Sequence, residues 1–560
     1  MSQLPKYSAQ IQIFLIIVLG AIILLPGTGQ IPLIDRDEPR FAQATVEMIE
    51  RGDWVIPYFN GEYRFDKPVL TYWLMRIGYG IFGISELGAR IHSVVSTIMI
   101  GLVIWWAGRR WFSSITGLAA SIGFLTCLQI IVNGRSCIAD MPMVLAVALS
   151  QVALCELLRR ETTENPLLWR LILYISLGLG FLAKGPIAMI VPLLSALLFR
   201  FVFWRKPLPW RNLGLAYGLP LTIIIIAAWG VPALLRTQGE FWNVGINKHV
   251  VNRGVNIFHG RFYFPFYYLG TIFISLFPWA AFAGRGWPVL RKRWSVENAF
   301  LVSWLITPYI IFSFYATQLP HYVMPGFAAF FLILAQSFDK PVEIKTWMKW
   351  LSWVVVALPG LVVIVLLGFM LFVPITAPYT DIRFCLWGAA GLLSGLIIMA
   401  FLYAYNKKKW LWIGIIIIAL SVSSIGTGFR RMSLGVQMVP IFKSMPRDTG
   451  YLGFRFMEGS LIFYSDAKWQ GTDDIQKVNQ FLQSPGPRLV VMLEKEQKLD
   501  HYLNWKWSQW RGEAKPLKTT EYIEELDSID TRGYSLKKIQ GLNLGRYTWV
   551  NLRIYYKSEF

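Results

Sequence analysis

The chain has 560 residues, of which 55% are hydrophobic and 16% charged, and its mean hydropathy is +0.46. A soluble globular chain carries about a quarter charged residues; here the deficit falls in long apolar runs, which excludes a soluble enzyme and marks a polytopic membrane protein. The net charge of +21 does not point to nucleic acid, because Lys and Arg gather in short segments between apolar runs, where they orient membrane helices.

A helix needs about 20 apolar residues to cross the hydrocarbon. In chain order, spans are predicted at 9–27, 89–108, 112–132, 138–158, 168–183, 186–204, 212–235, 263–284, 298–316, 321–338, 350–374, 383–405 and 410–428, thirteen in all. The run from Ile11 to Pro26 lacks a small-residue cleavage site and reads as a retained helix rather than a signal peptide. With the N-terminus inside, every cytoplasmic segment is basic, from Lys6 through Arg109 and Arg110, Arg159, Arg160 and Arg170, and on to Lys407, Lys408 and Lys409. The opposite loops are sparse in Lys and Arg or mixed in sign. This alternation requires an odd number of spans and puts the C-terminal tail outside. The cysteines Cys127, Cys137, Cys155 and Cys385 lie in or beside apolar runs and read as core residues.

The first outer loop, 28–88, is long. Pro39 at a helix start and Gly52 after its end delimit one short helix. A second follows Lys67-Pro68 and runs to Gly83; aromatic and amphipathic, it is expected to lie along the membrane surface. From about residue 429 the apolar content falls. Ser460–Tyr464, Arg488–Leu493 and Trp549–Tyr555 read as strands around a helix near 473–483. The predicted organisation is a transmembrane domain over 1–428 and a small extracytoplasmic α/β domain over 429–560.

Candidate chemistry collects at one membrane face. Asp35-Arg36-Asp37-Glu38-Pro39-Arg40 packs three acids and two bases at the outer end of the first span. A helix cap uses one carboxylate, Asp37 or Glu38; three acids flanked by arginines also suit gripping a hydroxyl or a divalent cation, with Arg40 holding an anion. Lys67 precedes a helix N-terminus, a site that favours anions, although loop lysines are ordinarily just solvated. Asp140 stands at the outer end of the fourth span, where a carboxylate either caps the helix or serves function. Lys184 occupies a turn between two apolar helices on the outer side, against the positive-inside trend. It snorkels to headgroups or holds a lipid phosphate. With no acid near it in sequence, it reads as unpaired. Lys248, His249, Arg253, His259 and Arg261 in the loop 236–262, and His321-Tyr322 at the start of the tenth span, add to the same face.

Taken with their order, these motifs resemble the polyprenyl-phosphate-dependent glycosyltransferases of the GT-C class, in particular the bacterial aminoarabinose transferases that modify lipid A and, more distantly, the protein O-mannosyltransferases. The residues that carry the resemblance are Asp37-Glu38-Pro39-Arg40-Phe41-Ala42, Gly52-Asp53-Trp54-Val55-Ile56-Pro57 with Asn60-Gly61, Asp66-Lys67-Pro68, Tyr72-Trp73, Arg135 with Asp140, Ala183-Lys184-Gly185-Pro186, and Leu319-Pro320-His321-Tyr322 with Pro325. The resemblance implies a helical GT-C bundle with an external C-terminal domain. It also implies an acidic residue at Asp37 near the reacting acceptor, supporting charges at Arg40 and Asp140, and contacts to the carrier-lipid phosphate at Lys67, Lys184 and Tyr322. Where the family reads Tyr-Phe-Glu-Lys-Pro this chain has Arg64, Phe65, Asp66, Lys67 and Pro68, so Asp stands in for a Glu associated with a metal. Asp66 and His249 are then the weak candidates for a divalent ion, and no other cofactor is expected.

The expected reaction is sugar transfer from a polyprenyl-phosphate donor to a glycolipid such as lipid A, a polysaccharide or a protein, outside the inner membrane of a bacterium. Lys67, Lys184 and Arg253 would neutralise the leaving phosphate. Asp37 would orient or deprotonate an acceptor hydroxyl, with inversion at the sugar carbon. An acceptor that is itself a phosphate needs no base. A transporter or flippase of lipid-linked sugars is the alternative; the sequence shows neither an internal repeat nor ionisable residues near span midpoints to favour it. A lipid-binding structural protein would have no use for the acidic cluster.

Overall fold

In the computed structural model, the described residues are 8–159, 164–245, 264, 266–339, 345–347, 350, 354, 357, 360–365, 379–404, 411–498, 501, 505, 508, 509, 511, 518–543, 546 and 548–557. Among them, eight helices are long and apolar enough to cross a membrane, or nine if the bent pair Tyr267–Ser275 and Trp279–Lys292 is one span. These make the chain an integral membrane protein. Three shorter apolar helices, Ala9–Leu24, Ser114–Leu125 and Arg383–Met399, match three further predicted spans. Most of the expected span 350–374 lies outside the described residues.

The early elements are α1 (Ala9–Leu24), α2 (Glu38–Glu50), a hairpin of β1 (Tyr58–Phe59) and β2 (Glu62–Tyr63), α3 (Leu70–Phe82), α4 (Glu86–Trp111), α5 (Ser114–Leu125), α6 (Leu128–Asn133), α7 (Asp140–Leu158) and α8 (Pro166–Lys184). The helix predicted at 112–132 is therefore two, divided at Thr126 and Cys127. The sulfur of Cys127 donates to the Ser275 carbonyl, and the Trp279 indole donates to the Thr126 hydroxyl. The predicted span 263–284 is likewise broken, with its two halves bent by 110°. Hydropathy reads composition and is blind to such bends. The two helices of the first loop match expectation: α2 holds Pro39 in its first turn and ends before Gly52 at φ +63°, and α3 ends at Gly83 at φ +71°. α3 packs on α4 through Gly78, where an added Cβ would lie 2.2 Å from the Gly88 carbonyl oxygen, so only glycine allows that approach.

The acidic motif is locked by charges that the bundle buries. The Glu38 carboxylate receives Arg90 Nε at 2.9 Å and Nη2 at 2.6 Å, and also the backbone N–H groups of Ile34 (2.9 Å) and Cys137 (2.8 Å). Arg90, from α4, also donates to the carbonyls of Thr28, Ile31 and Pro32. Arg135 donates to the carbonyls of Ile23 and Pro26, at the C-terminal end of α1. Arg135 thus satisfies a carbonyl that the end of α1 leaves open, and Arg90 satisfies those of the loop that follows.

Beyond the bundle, β3 (Gly450–Phe454), β4 (Trp469–Thr472), β5 (Arg488–Lys498), β6 (Thr520–Glu521), β7 (Ser535–Asn543) and β8 (Thr548–Lys557) form a mixed sheet in the order β4-β3-β5-β8-β7, with β6 also on β5. The predicted strands at Arg488–Leu493 and Trp549–Tyr555 lie in β5 and β8, and the helix near 473–483 is Ile475–Gln483. Ser460–Tyr464, read as a strand, is instead the helix Gly459–Ser465. Its aromatic and β-branched composition suggested a strand, but β3 and β4 pair in parallel, and a parallel pair needs a crossover, usually helical.

Removing one partner of a buried ion pair strands the other charge, at about 3–5 kcal/mol. Glu38→Gln and Arg90→Met are therefore each expected to lower the unfolding temperature in detergent sharply. The double variant should recover part of the loss. Single variants that melt like the parent would show that this pair does not hold the loop.

Candidate active site

The three acids of the motif face three ways. Arg36 sits at φ +85°, a left-handed backbone that turns the chain between Asp35 and Asp37. Glu38 points inward to Arg90. Asp35 faces the C-terminal region, where one carboxylate oxygen accepts the Ser460 backbone N–H at 2.8 Å and the other binds the Ser460 hydroxyl at 2.6 Å. Asp37 is exposed at the N-cap position of α2 and makes no side-chain capping bond, so neither it nor Glu38 serves as the cap that the sequence allowed. Arg40 is exposed, its guanidinium 6.0 Å from the Phe59 ring centroid.

The hairpin after α2 delivers the next group of residues. Asn60 and Gly61 occupy its turn with φ of +57° and +83°, the geometry a two-residue turn favours. Both of their N–H groups bond the Glu47 carboxylate, at 2.6 and 2.9 Å. Arg64 follows, buried at 7% exposure. It pairs with Asp66 at 3.0 Å, donates to the Tyr72 hydroxyl at 3.1 Å, and stacks on the Phe41 ring at 5.0 Å. Against burial, Tyr72 first, then Asp66 and Asp37, hold the guanidinium in its protonated form.

A second cluster forms where α7, α8 and the segment Pro320–Gly326 converge. Lys184 Nζ contacts Asp140 Oδ1 at 2.5 Å, Asp140 is 4% exposed, and His321 Nε2 lies 3.8 Å from the same oxygen. Lys184 also stands 5.3 Å from the Tyr322 ring centroid. Lys67 adds its positive charge to the field at Asp140. The expectation of an unpaired Lys184 is thus overturned: its counter-ion comes from another helix, 44 residues away in sequence. Residues from four separated segments, namely Lys67, Asp140, Lys184 and His321 with Tyr322, meet in this cluster. Arg253 and His249 lie outside the described residues.

A divalent ion fits poorly at Asp66. That carboxylate already neutralises Arg64, Lys67 follows it directly, and among the described residues no three His, Cys, Asp or Glu side chains gather as a metal group. Arg64 carries no signal in the sequence beyond standing where the family has Tyr. Arg90 does carry one, since an arginine inside an apolar helix is a costly placement that signals a partner. The Asp53 carboxylate, from the Gly52–Pro57 motif, holds Arg236 in a two-point pair at 2.9 and 2.7 Å and so ties the end of the Leu215–Arg236 helix to the first loop.

The family described as dolichyl-phosphate-mannose-protein mannosyltransferase matches residues 66–229. An undecaprenyl phosphate-alpha-4-amino-4-deoxy-L-arabinose arabinosyl transferase of Yersinia pestis (strain Pestoides F) is 28% identical over 322 residues, 56% of each chain. Its counterpart in Serratia proteamaculans is 30% identical over 334 residues, 58% of each chain. The match thus spans little more than half the length of these curated relatives. The crystal structure of ArnT from Cupriavidus metallidurans bound to undecaprenyl phosphate superposes with a TM-score of 0.74 at 18% identity, covering 98% of both chains. The archaeal oligosaccharyltransferase AglB from Archaeoglobus fulgidus gives 0.51 at 13% identity, over 88% of this chain and 70% of that one. The chain therefore resembles the GT-C glycosyltransferases, and the likeness to these solved structures is one of fold.

Burial and the nearby Glu458 lift the Asp35 carboxyl from 3.8 to about 7, while Ser460 and Arg40 act to lower it. A carboxyl with a raised folded-state pKa favours the docked state while it is protonated, and that contribution is lost as pH rises through about 7. Protection of Gly459–Ser465 against hydrogen exchange, taken relative to the base-catalysed intrinsic rate at each pH, should accordingly fall between pH 6 and 8, and Asp35→Asn should flatten that profile. Protection independent of pH in the parent would contradict this.

Proposed function

We propose that this chain is a membrane glycosyltransferase. It takes a sugar from a polyprenyl-phosphate carrier, undecaprenyl phosphate in a bacterium, and gives it to an acceptor at the non-cytoplasmic face of the inner membrane. The observation that carries this reading is the Lys184–Asp140 pair with Lys67, His321 and Tyr322 around it, gathered at helix ends beside the acidic motif. A bulky lipid phosphate is a good leaving group once its charge is met, so preorganised cations serve it better than an acid would. Lys184 and Lys67 supply those cations, and Arg253 is a further candidate. Asp140 fixes Lys184 in place and moderates its charge, leaving a site that attracts an anion without carrying a bare buried lysine. Tyr322 offers its ring to the ammonium and its hydroxyl to the phosphate.

Asp37 is the residue we assign to the acceptor side. It is exposed, free of any capping bond, and close enough to Arg64 for the two charges to couple. It orients or deprotonates an acceptor hydroxyl opposite the departing phosphate, which inverts the sugar carbon. Arg40 beside it supports an anionic acceptor. The acceptor classes in view are a glycolipid such as lipid A, a polysaccharide and a protein. The names of the curated relatives, arabinosyl transferases acting on an undecaprenyl-phosphate sugar, support the donor half of this reading.

The test is transfer of radiolabelled sugar from carrier lipid to extracted acceptor in vesicles. Asp37→Asn is expected to cut the rate by about two to three orders of magnitude, with the protein still folded. Lys184→Ala should weaken donor use and, because Asp140 is left buried and alone, lower stability by about 3–5 kcal/mol. Adding Asp140→Asn to Lys184→Ala should restore the melting temperature but not the donor dependence. Recovery of both would make Lys184 a structural lysine, and parental turnover in Asp37→Asn would remove Asp37 from the chemistry.

A further inference from the structure

A buried guanidinium, that of Arg64, lies beside the acidic motif, and its placement is built rather than incidental. Three features deliver Arg64. Its backbone N–H bonds the Pro57 carbonyl at 2.9 Å, the hairpin turn before it is tied to Glu47, and its side chain lies against the stacked pair of Phe41 and Tyr72, whose ring centroids are 5.4 Å apart. Once delivered, the guanidinium meets the Asp66 carboxylate at 3.0 Å and the Tyr72 hydroxyl at 3.1 Å, with Asp37 within its field. A charge this buried persists only where its surroundings neutralise it, and here Asp66 supplies the opposite charge.

We propose that Arg64 is the resident cation of this site, occupying the place beside Asp66 where a divalent metal ion would have to sit, so that the protein acts without one. A second multivalent cation on Asp66 would lie within a few ångströms of an arginine that cannot give up its proton. Arginine is suited to the place because its planar fork binds Asp66 and Tyr72 from separate nitrogens, where a lysine would offer one point of charge. In this role Arg64 is a positioning residue. It holds Asp66, and with it the neighbouring Lys67, at the mouth of the Asp140–Lys184 cluster, and it sets a fixed positive charge near Asp37, the acid assigned to the acceptor step. Only that last, catalytic part rests on the proposed glycosyl transfer; metal exclusion does not.

The experiment measures metal and activity separately on the purified full-length chain. Elemental analysis should find far less than one equivalent of Mg, Mn or Zn per chain. Thermal stability should not shift when those ions are titrated in or when EDTA is added, and sugar transfer should stay within about twofold under the same treatments. Arg64→Ala should lower transfer by about a hundredfold and make thermal stability respond to Mn or Zn, because Asp66 loses its arginine. Methylguanidine should restore part of the Arg64→Ala rate. Arg64→Lys, which keeps the charge and protects the fold, should retain more activity than Arg64→Ala and remain insensitive to metal. One equivalent of metal in the parent that disappears in Asp66→Asn would overturn the proposal, as would EDTA inactivation reversed by a divalent ion. If no sugar transfer is seen under any condition, the proposed function fails, while the metal content and thermal titrations still decide whether Arg64 excludes a metal.

Discussion

The geometry of the candidate site depends on a buried ion pair, Arg90 with Glu38. Glu38 opens the helix that follows the acidic motif, and Arg90 is set in the wall of the bundle, so their two-point contact fixes a loop on a span. The remaining valences are filled as well. Carbonyls of Thr28, Ile31 and Pro32 take the rest of the guanidinium, and the N–H groups of Ile34 and Cys137 complete the carboxylate. A buried ion pair stabilises little by itself, yet it tolerates few alternative geometries because any displacement strands a charge. That intolerance is useful here: it holds Asp37 and Asp35 in place one and three residues from the anchor.

From this anchor the C-terminal sheet is docked by short polar links. Asp35 takes both the N–H and the hydroxyl of Ser460, while Asn60 exchanges two bonds with the Trp469 backbone at 2.8 and 2.9 Å. The Tyr464 hydroxyl accepts from the Leu33 N–H and bonds the Glu86 carboxylate, which Arg430 also holds. Gly459 belongs to the same seam, since a Cβ there would come within 3.3 Å of Pro39 and of the Arg40 side chain. The helix Gly459–Ser465 therefore rests against the acidic motif itself, and a titratable carboxyl lies in the joint. These contacts are polar and specific, as befits an interface that packs on a site rather than a hydrophobic core.

The charged clusters divide their work by environment. Asp140 and Lys184 neutralise each other at the mouth of the bundle, where an isolated lysine or carboxylate would be costly. Arg64 and Asp66 do the same under the first loop, against aromatic rings. Asp37, by contrast, is left exposed and uncapped, able to meet an acceptor. This division of buried paired charges around one accessible acid supports a transferase more than a passage for ions or lipids, since all of it lies at one end of the helices.

Much was legible in the sequence because the bilayer imposes a rule that composition obeys. Backbone groups in lipid must bond within a helix, so an apolar run becomes a span whatever its neighbours do. The helices after Pro39 and Lys67-Pro68 and their glycine stops could be read in the same way, from local backbone preference. So could the presence of Asp37, Asp140 and Lys184 at helix ends. What local rules could not supply was partnership. Lys184 looked unpaired because its acid is on another helix; Glu38 looked like a cap because Arg90 is 52 residues away; Ser460–Tyr464 looked like a strand because its role as a crossover depends on β3 and β4 being parallel neighbours. Bends at Thr126 and Ser275 escaped for a similar cause, since they answer to packing between segments. Residue type and spacing fix what a segment can do locally, whereas the pairing of a buried charge is decided by whatever the fold brings within three ångströms of it.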